Sequence, residues 1–193
     1  MSPRRVLAWI GVLLLAVLPA YLRDAAPEPE RSPFRRMLGP IASAAASVQW
    51  VRVDLALRAG RLDLALARAE NALRLDPGAT EGWMYLGRHL AFDRASVARE
   101  PDPARRRAWI EAGLDLARRG IETAREPEEL HLWRALVLVK VVETDEELPW
   151  PGGAEAMLEE AARACDRAAE LGQPDAAEIG VSVRRRLRAR RGG

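Results

Sequence analysis

Beyond residue 40, apolar and small residues recur at three- and four-residue steps along nearly the whole chain, and nowhere do they alternate as a strand requires. In residues 41–58, Ala42, Ala45, Ala46, Gln49, Val53 and Ala56 make a narrow small-residue face that Ala59-Gly60 ends. Arg61 or Leu62 then starts a second helix, with Ala65, Ala69 and Ala72 on one side. Small side chains there let a neighbouring helix approach closely, and Asp76-Pro77-Gly78 stops the run. The pattern predicts an antiparallel helical hairpin.

The same logic continues downstream. Thr80 is the expected N-cap of a helix carrying Trp83, Leu86, Gly87 and Leu90. A proline- and charge-rich insertion at 93–107 delays its partner. Asp102-Pro103 reads as an N-cap followed by proline in the first turn, opening a helix over 103–125 with Gly113, Ala117, Gly120 and Ala124 on one side. Glu126-Pro127 opens a strongly apolar helix to about Val142. A second insertion at 143–153 precedes a helix over 154–171 with Ala161, Cys165 and Ala168 in the small-residue places. A last helix over 175–190 is expected to cap the stack, and the tail 175–193 is rich in arginine.

The N-terminus breaks this pattern. Arg4-Arg5 precede an uncharged run over 6–22, which at about 1.5 Å per residue reaches roughly 26 Å, just short of a hydrocarbon core of about 30 Å. Trp9 and Tyr21 sit near its two ends, where amphipathic rings favour the membrane interface. Residues 1–24 are therefore expected to be an uncleaved membrane anchor; a cleaved signal peptide is the alternative, with Leu18-Pro19-Ala20 a poor small-x-small site. The Arg pair at the start favours an N-terminus held inside and a body exported, although Arg23, Arg31, Arg35 and Arg36 pull the other way. Residues 25–40, with Pro27 and Pro29, are expected to be a semi-extended linker.

Charge and cysteine content narrow the function classes. The 193 residues carry a net charge of +2, too balanced for whole-domain nucleic-acid binding, which needs a one-signed face. Lys140 is the only lysine and Cys165 the only cysteine, so neither an intramolecular disulfide nor a cysteine metal cluster can form. His89 and His131 are the only histidines. No Ser/His/Asp arrangement, phosphate-binding glycine loop or paired-His zinc motif is present, and the expectation is a non-enzyme without catalytic, cofactor or metal residues.

Residues 60–87, GRLDLALARAENALRLDPGATEGWMYLG, resemble the junction between two tetratricopeptide repeats, whose pattern over about 34 residues pairs a Trp and a Leu-Gly with small residues and a closing Pro. Trp133 resembles the family's Trp in a third unit. The first unit departs from the pattern, with Trp50 one residue late and Val53 where the family prefers glycine. The resemblance implies an all-α fold of about three hairpins over 41–174, stacked as a short solenoid; an irregular helical bundle is the rival arrangement. It also implies a concave groove lined by the first helix of each pair. Matching places gives Trp50, Asp54 and Arg58, then Glu81, Met84, Arg88 and Phe92, then His131, Arg134 and Leu138. Arg58, Arg88 and Arg134 would clamp carboxylates, and Met84 and Phe92 would supply an apolar pocket.

The expected function is a scaffold or adaptor tethered to a bacterial inner membrane, binding protein partners in an envelope or membrane assembly. A structural subunit of a membrane complex is the alternative, as is an anionic-membrane or nucleic-acid binder acting through the Arg-rich 184–191. Leu148-Pro149-Trp150-Pro151 offers a competing surface if Trp150 stands out from its loop, and none if it folds back.

Overall fold

The computed structural model describes residues 33–145 and 148–192. The protein is all-α, with no strand among the described residues. It falls into two compact units divided between Asp76 and Pro77. The anchor segment 1–24 lies outside the described residues, and among those described no helix is long and apolar enough to cross a membrane.

The first unit is a hairpin of α1 (Pro33–Arg58) and α2 (Leu62–Leu75). Its antiparallel register is fixed at two levels, the open end and the middle. Ser43 Oγ donates to Asp76 Oδ2 at 2.9 Å, and Arg68 Nη1 donates to the Arg52 carbonyl at 2.9 Å. Gly60, at φ 70°, makes the left-handed turn that closes α1. The seam is built of small residues. Ala46, Val53 and Ala56 of α1 and Ala65, Ala69 and Ala72 of α2 are all buried. Helix α1 begins eight residues before the expected start at 41, so the linker expected over 25–40 is helical from Pro33 onward. Proline at the first helical position forfeits no hydrogen bond there, which is why Pro33 opens the helix rather than forbidding it.

The second unit contains α3 (Thr80–Arg88), which runs directly into a π-helical segment (His89–Arg94), then α4 (Pro103–Ile121), α5 (Pro127–Thr144), α6 (Gly153–Glu170) and α7 (Ala176–Arg191). Successive helices are antiparallel. Trp83 meets Gly120 at one end of the α3–α4 pair, and Arg94 lies 5.1 Å over the Trp109 ring at the other. Leu130 meets Gly120 at one end of α4–α5, and Arg106 pairs with Asp145 at the other. Arg134 pairs with Glu160 across α5–α6, and Arg184 with Asp166 at 2.6 Å across α6–α7. Alternate helices also meet: Trp133 of α5 lies against Gly87 of α3, and Arg186 of α7 pairs with Glu143 of α5. Helices α3, α5 and α7 thus share one side, with α4 and α6 behind them. Leu130, Leu138, Met157, Leu158 and Cys165 lie fully buried.

Helix starts follow local chemistry in part. Asp102 accepts from the Ala104 amide at 2.9 Å, the cap that Asp102-Pro103 predicts. Thr80 is not an N-cap: it lies inside α3, and its buried hydroxyl accepts instead from the Glu126 amide at 3.3 Å, at the start of α5. A long-range donor has displaced the local one. Helix α4 stops at Ile121, four residues short of the expected end. There the Thr123 and Ala124 amides turn back on the Gly120 carbonyl, and the Arg125 amide reaches the Gly78 carbonyl at 3.0 Å.

Both insertions are tied down by one ion pair. Arg106, 7% exposed, donates from Nε to Asp145 Oδ2 at 2.9 Å and from Nη1 to the Pro101 carbonyl at 2.9 Å. Asp145 closes α5, so a single guanidinium holds the stretch before α4 against the stretch after α5. Leu148 is buried, and Trp150 packs half-buried on the core, so that loop folds back rather than presenting its tryptophan.

Candidate functional site

A cleft of about 680 Å³ opens on the side shared by α3, α5 and α7. Its first wall comes from the π-helical segment. The Ala95 amide donates to the Leu90 carbonyl at 3.2 Å, an i→i+5 bond that widens the turn. That segment turns Leu90 and Ala91 into the core while Phe92 and Asp93 line the cleft. The second wall is α5, with Trp133, Leu136, Val137, Val139 and Lys140; the third is α7, with Ile179, Ser182 and Val183. The floor is apolar, and Leu136, 45% exposed, stands at its edge.

The rim is charged and mostly paired. Glu143 accepts from Arg186 and lies 3.6 Å from Lys140. The Arg186 hydrogen bond and charge, aided by Lys140, hold the Glu143 carboxyl below its ordinary range. Asp93 takes His89 Nδ1 at 2.9 Å. Arg88 lines the cleft and is exposed, and no ion pair engages it among the described residues. The chemistry on offer is an apolar trough with one uncommitted guanidinium at its mouth.

Of the groove residues expected from sequence, Arg88 and Phe92 line this cleft. Glu81 is exposed and Met84 half-buried, one or more turns earlier on α3, and neither reaches it. Leu138 is fully buried and forms core, not groove. Arg134 pairs with Glu160 of α6, and His131 faces Arg167 of the same helix. Burial first, then the charges of Arg167 and Arg134, hold the His131 imidazole below its ordinary proton affinity. The expected face of α5 is therefore out of phase: Trp133, Leu136, Val137 and Lys140 take the places assigned to His131, Arg134 and Leu138. Trp50, Asp54 and Arg58 belong to the first unit, where Trp50 is half-buried and Arg58 pairs with Asp54 at 2.7 Å across one turn of α1.

Sequence reasoning missed the α7 wall by treating that helix as a cap alone. Ile179, Val183 and Leu187 recur every four residues, the stripe that would have placed α7 on the core. Three arginines of this helix pair with carboxylates of neighbouring helices. Arg184 pairs with Asp166, Arg186 with Glu143, and Arg191 with Glu155 and Glu159. These pairs are solvent-exposed, each worth about 0–1 kcal/mol.

No group of three or more metal-ligating side chains gathers among the described residues. Cys165 is a buried thiol whose proton affinity is raised, by burial and then by Asp166, against the opposing charge of Arg184. Compared with known proteins, the chain matches no family model, no curated protein and no solved structure.

Proposed function

We propose that the chain is a membrane-tethered, tetratricopeptide-like adaptor whose second unit receives an apolar segment of a partner protein in the α3–α5–α7 cleft. The observation that carries this reading is the cleft itself. It is a trough of about 680 Å³ floored by Phe92, Trp133 and Val137, with the unpaired Arg88 at its edge. A trough walled by alternate helices suits an extended or helical segment, because apolar anchors enter the floor while a charged residue fixes orientation. The repeat-like reading is supported by tryptophans that lie on glycines of neighbouring helices, Trp83 on Gly120 and Trp133 on Gly87. Tethering rests on the uncharged run over 6–22.

The pairing of Arg184, Arg186 and Arg191 with carboxylates of α5 and α6 favours the adaptor over an anion-binding tail, since those cations already have partners. The test is co-purification in gentle detergent from cells carrying either the native chain or an Arg88→Glu/Leu136→Asp variant. Both side chains are exposed, so the fold tolerates the change. Recovery of specific partners is expected to fall at least ten-fold. Equal recovery removes the cleft as the binding site.

A further inference from the structure

We propose that the outward face of α1 is a self-association surface, on which a second copy of this chain lays its own α1 antiparallel about a two-fold axis. Helix α1 carries two apolar seams. Ala46, Val53 and Ala56 are buried in the hairpin with α2, whereas Ile41, Val48, Val51 and Leu55 are 61, 53, 62 and 58% exposed. Four of the ten large apolar side chains left exposed among the described residues thus fall on one stripe of one helix, where scattered exposure would place them anywhere. With Ala44 they step by three and four residues, 41–44–48–51–55, the spacing of a helix that meets another helix. Ala46 and Val53 stand diametrically opposite in that register, so a single hairpin cannot bury both seams.

The centre of the seam fits itself, while Ile41 at its end falls opposite Arg58 of the second copy. Antiparallel pairing sets Ala44 against Leu55 of the second copy and Val48 against Val51, and the two-fold axis repeats both layers. Small faces large, and intermediate faces intermediate. Arg52 and Asp54 are the only charged residues between 41 and 55. In this pairing Arg52 lies beside Ala45 and Asp54 beside Ser47 of the other copy, so no like charges meet. A lipid surface is the poorer occupant: an interfacial helix needs a basic polar face, and the face opposite this stripe is already packed on α2. A seam of two heptads sits at the small end of interfaces, so a dissociation constant of about 1–100 µM is expected. This proposal does not depend on the cleft.

Sedimentation velocity on the full chain in mild detergent, over about 1–200 µM, tests it. A concentration-dependent dimer is expected, and Val48→Glu/Leu55→Glu is expected to weaken it at least ten-fold with an unchanged far-ultraviolet circular dichroism spectrum. Under mild oxidation, Ala44→Cys/Leu55→Cys is expected to cross-link between copies, and Val48→Cys alone is not. A chain monomeric throughout, a dimer indifferent to the glutamates, or cross-linking by Val48→Cys instead of the double variant overturns the proposal. So does a monomer whose binding to phosphatidylglycerol vesicles is what the glutamates abolish.

Discussion

Gly87 and Gly113 bring α3 and α4 together backbone to backbone: a Cβ added at Gly113 would stand 2.8 Å from the Gly87 carbonyl oxygen. A Cβ at Gly87 would in turn meet the Trp133 ring at 2.7 Å, so three helices converge on two missing side chains. Alanine normally stabilises a helix over glycine by about 1 kcal/mol. Here the obstacle is backbone, which cannot rotate away, and overpacking costs about 1–3 kcal/mol. Gly113→Ala is therefore expected to lower stability by up to about 2 kcal/mol net in urea unfolding. Gly120→Ala, which would meet Trp83 Cγ at 2.7 Å, is expected to do the same. Stabilisation by either substitution would contradict this packing.

That contact was partly legible beforehand. Gly113, Ala117 and Gly120 share one side of α4 by spacing alone, and spacing is local information. Which neighbour fills the space is not local: Trp133 reaches Gly87 from the next pair, a choice that α5's rotation makes. The same rotation put Leu138 in the core and Trp133 in the cleft, against the face expected from the repeat pattern. Helix α5 is apolar nearly all round, so its sequence carries little phase. The π-helical turn at His89–Arg94 has no glycine or proline to announce it. Thr80 shows the opposite failure, a residue with strong local capping chemistry whose hydroxyl is claimed by Glu126 across the fold.

Arg106 and Asp145 are expected to be coupled. The guanidinium side chain is 8% exposed and the carboxylate 21%, and the contact at 2.8–2.9 Å joins both insertions. Arg106→Met leaves Asp145 without this donor and is expected to cost about 2–3 kcal/mol. Because the penalty comes from the stranded charge, Arg106→Met/Asp145→Leu is expected to recover most of it. A double-mutant cycle by urea unfolding measures the coupling, and strictly additive losses would show that the two groups act independently.

Acid is expected to weaken the fold in two windows. His131 is a base whose folded proton affinity lies below its ordinary 6.5, so the unfolded chain binds more protons there. Its contribution is complete above 6.5 and declines as pH falls from 6.5 towards the lowered folded value. Glu143 is an acid held below its ordinary 4.5, and its contribution is complete above 4.5 and lost as pH falls through the folded value. His131→Gln is expected to flatten the upper window alone and Glu143→Gln the lower alone. Melting temperature against pH for the three proteins separates them.

Cys165 turns the integrity of the second unit into a chemical signal. The thiol is fully buried between α6 and α7, where the Cβ built on Gly180 would stand 3.1 Å from its own Cβ. Burial also raises its proton affinity, so both access and thiolate fraction oppose reaction. Alkylation by iodoacetamide is therefore expected only through opening of the α6–α7 pair, at a rate that rises with urea along the unfolding curve. Removing one ion pair that joins α7 to α6, by Arg184→Gln, is expected to speed native-state labelling no more than about ten-fold, since such an exposed pair is worth about 0–1 kcal/mol. Replacing Val183, 2% exposed on the same helix, with alanine is expected to speed it more, because a buried methyl pair outweighs a solvated ion pair. Labelling as fast in the native chain as in urea would place Cys165 at the surface and detach α7 from the core.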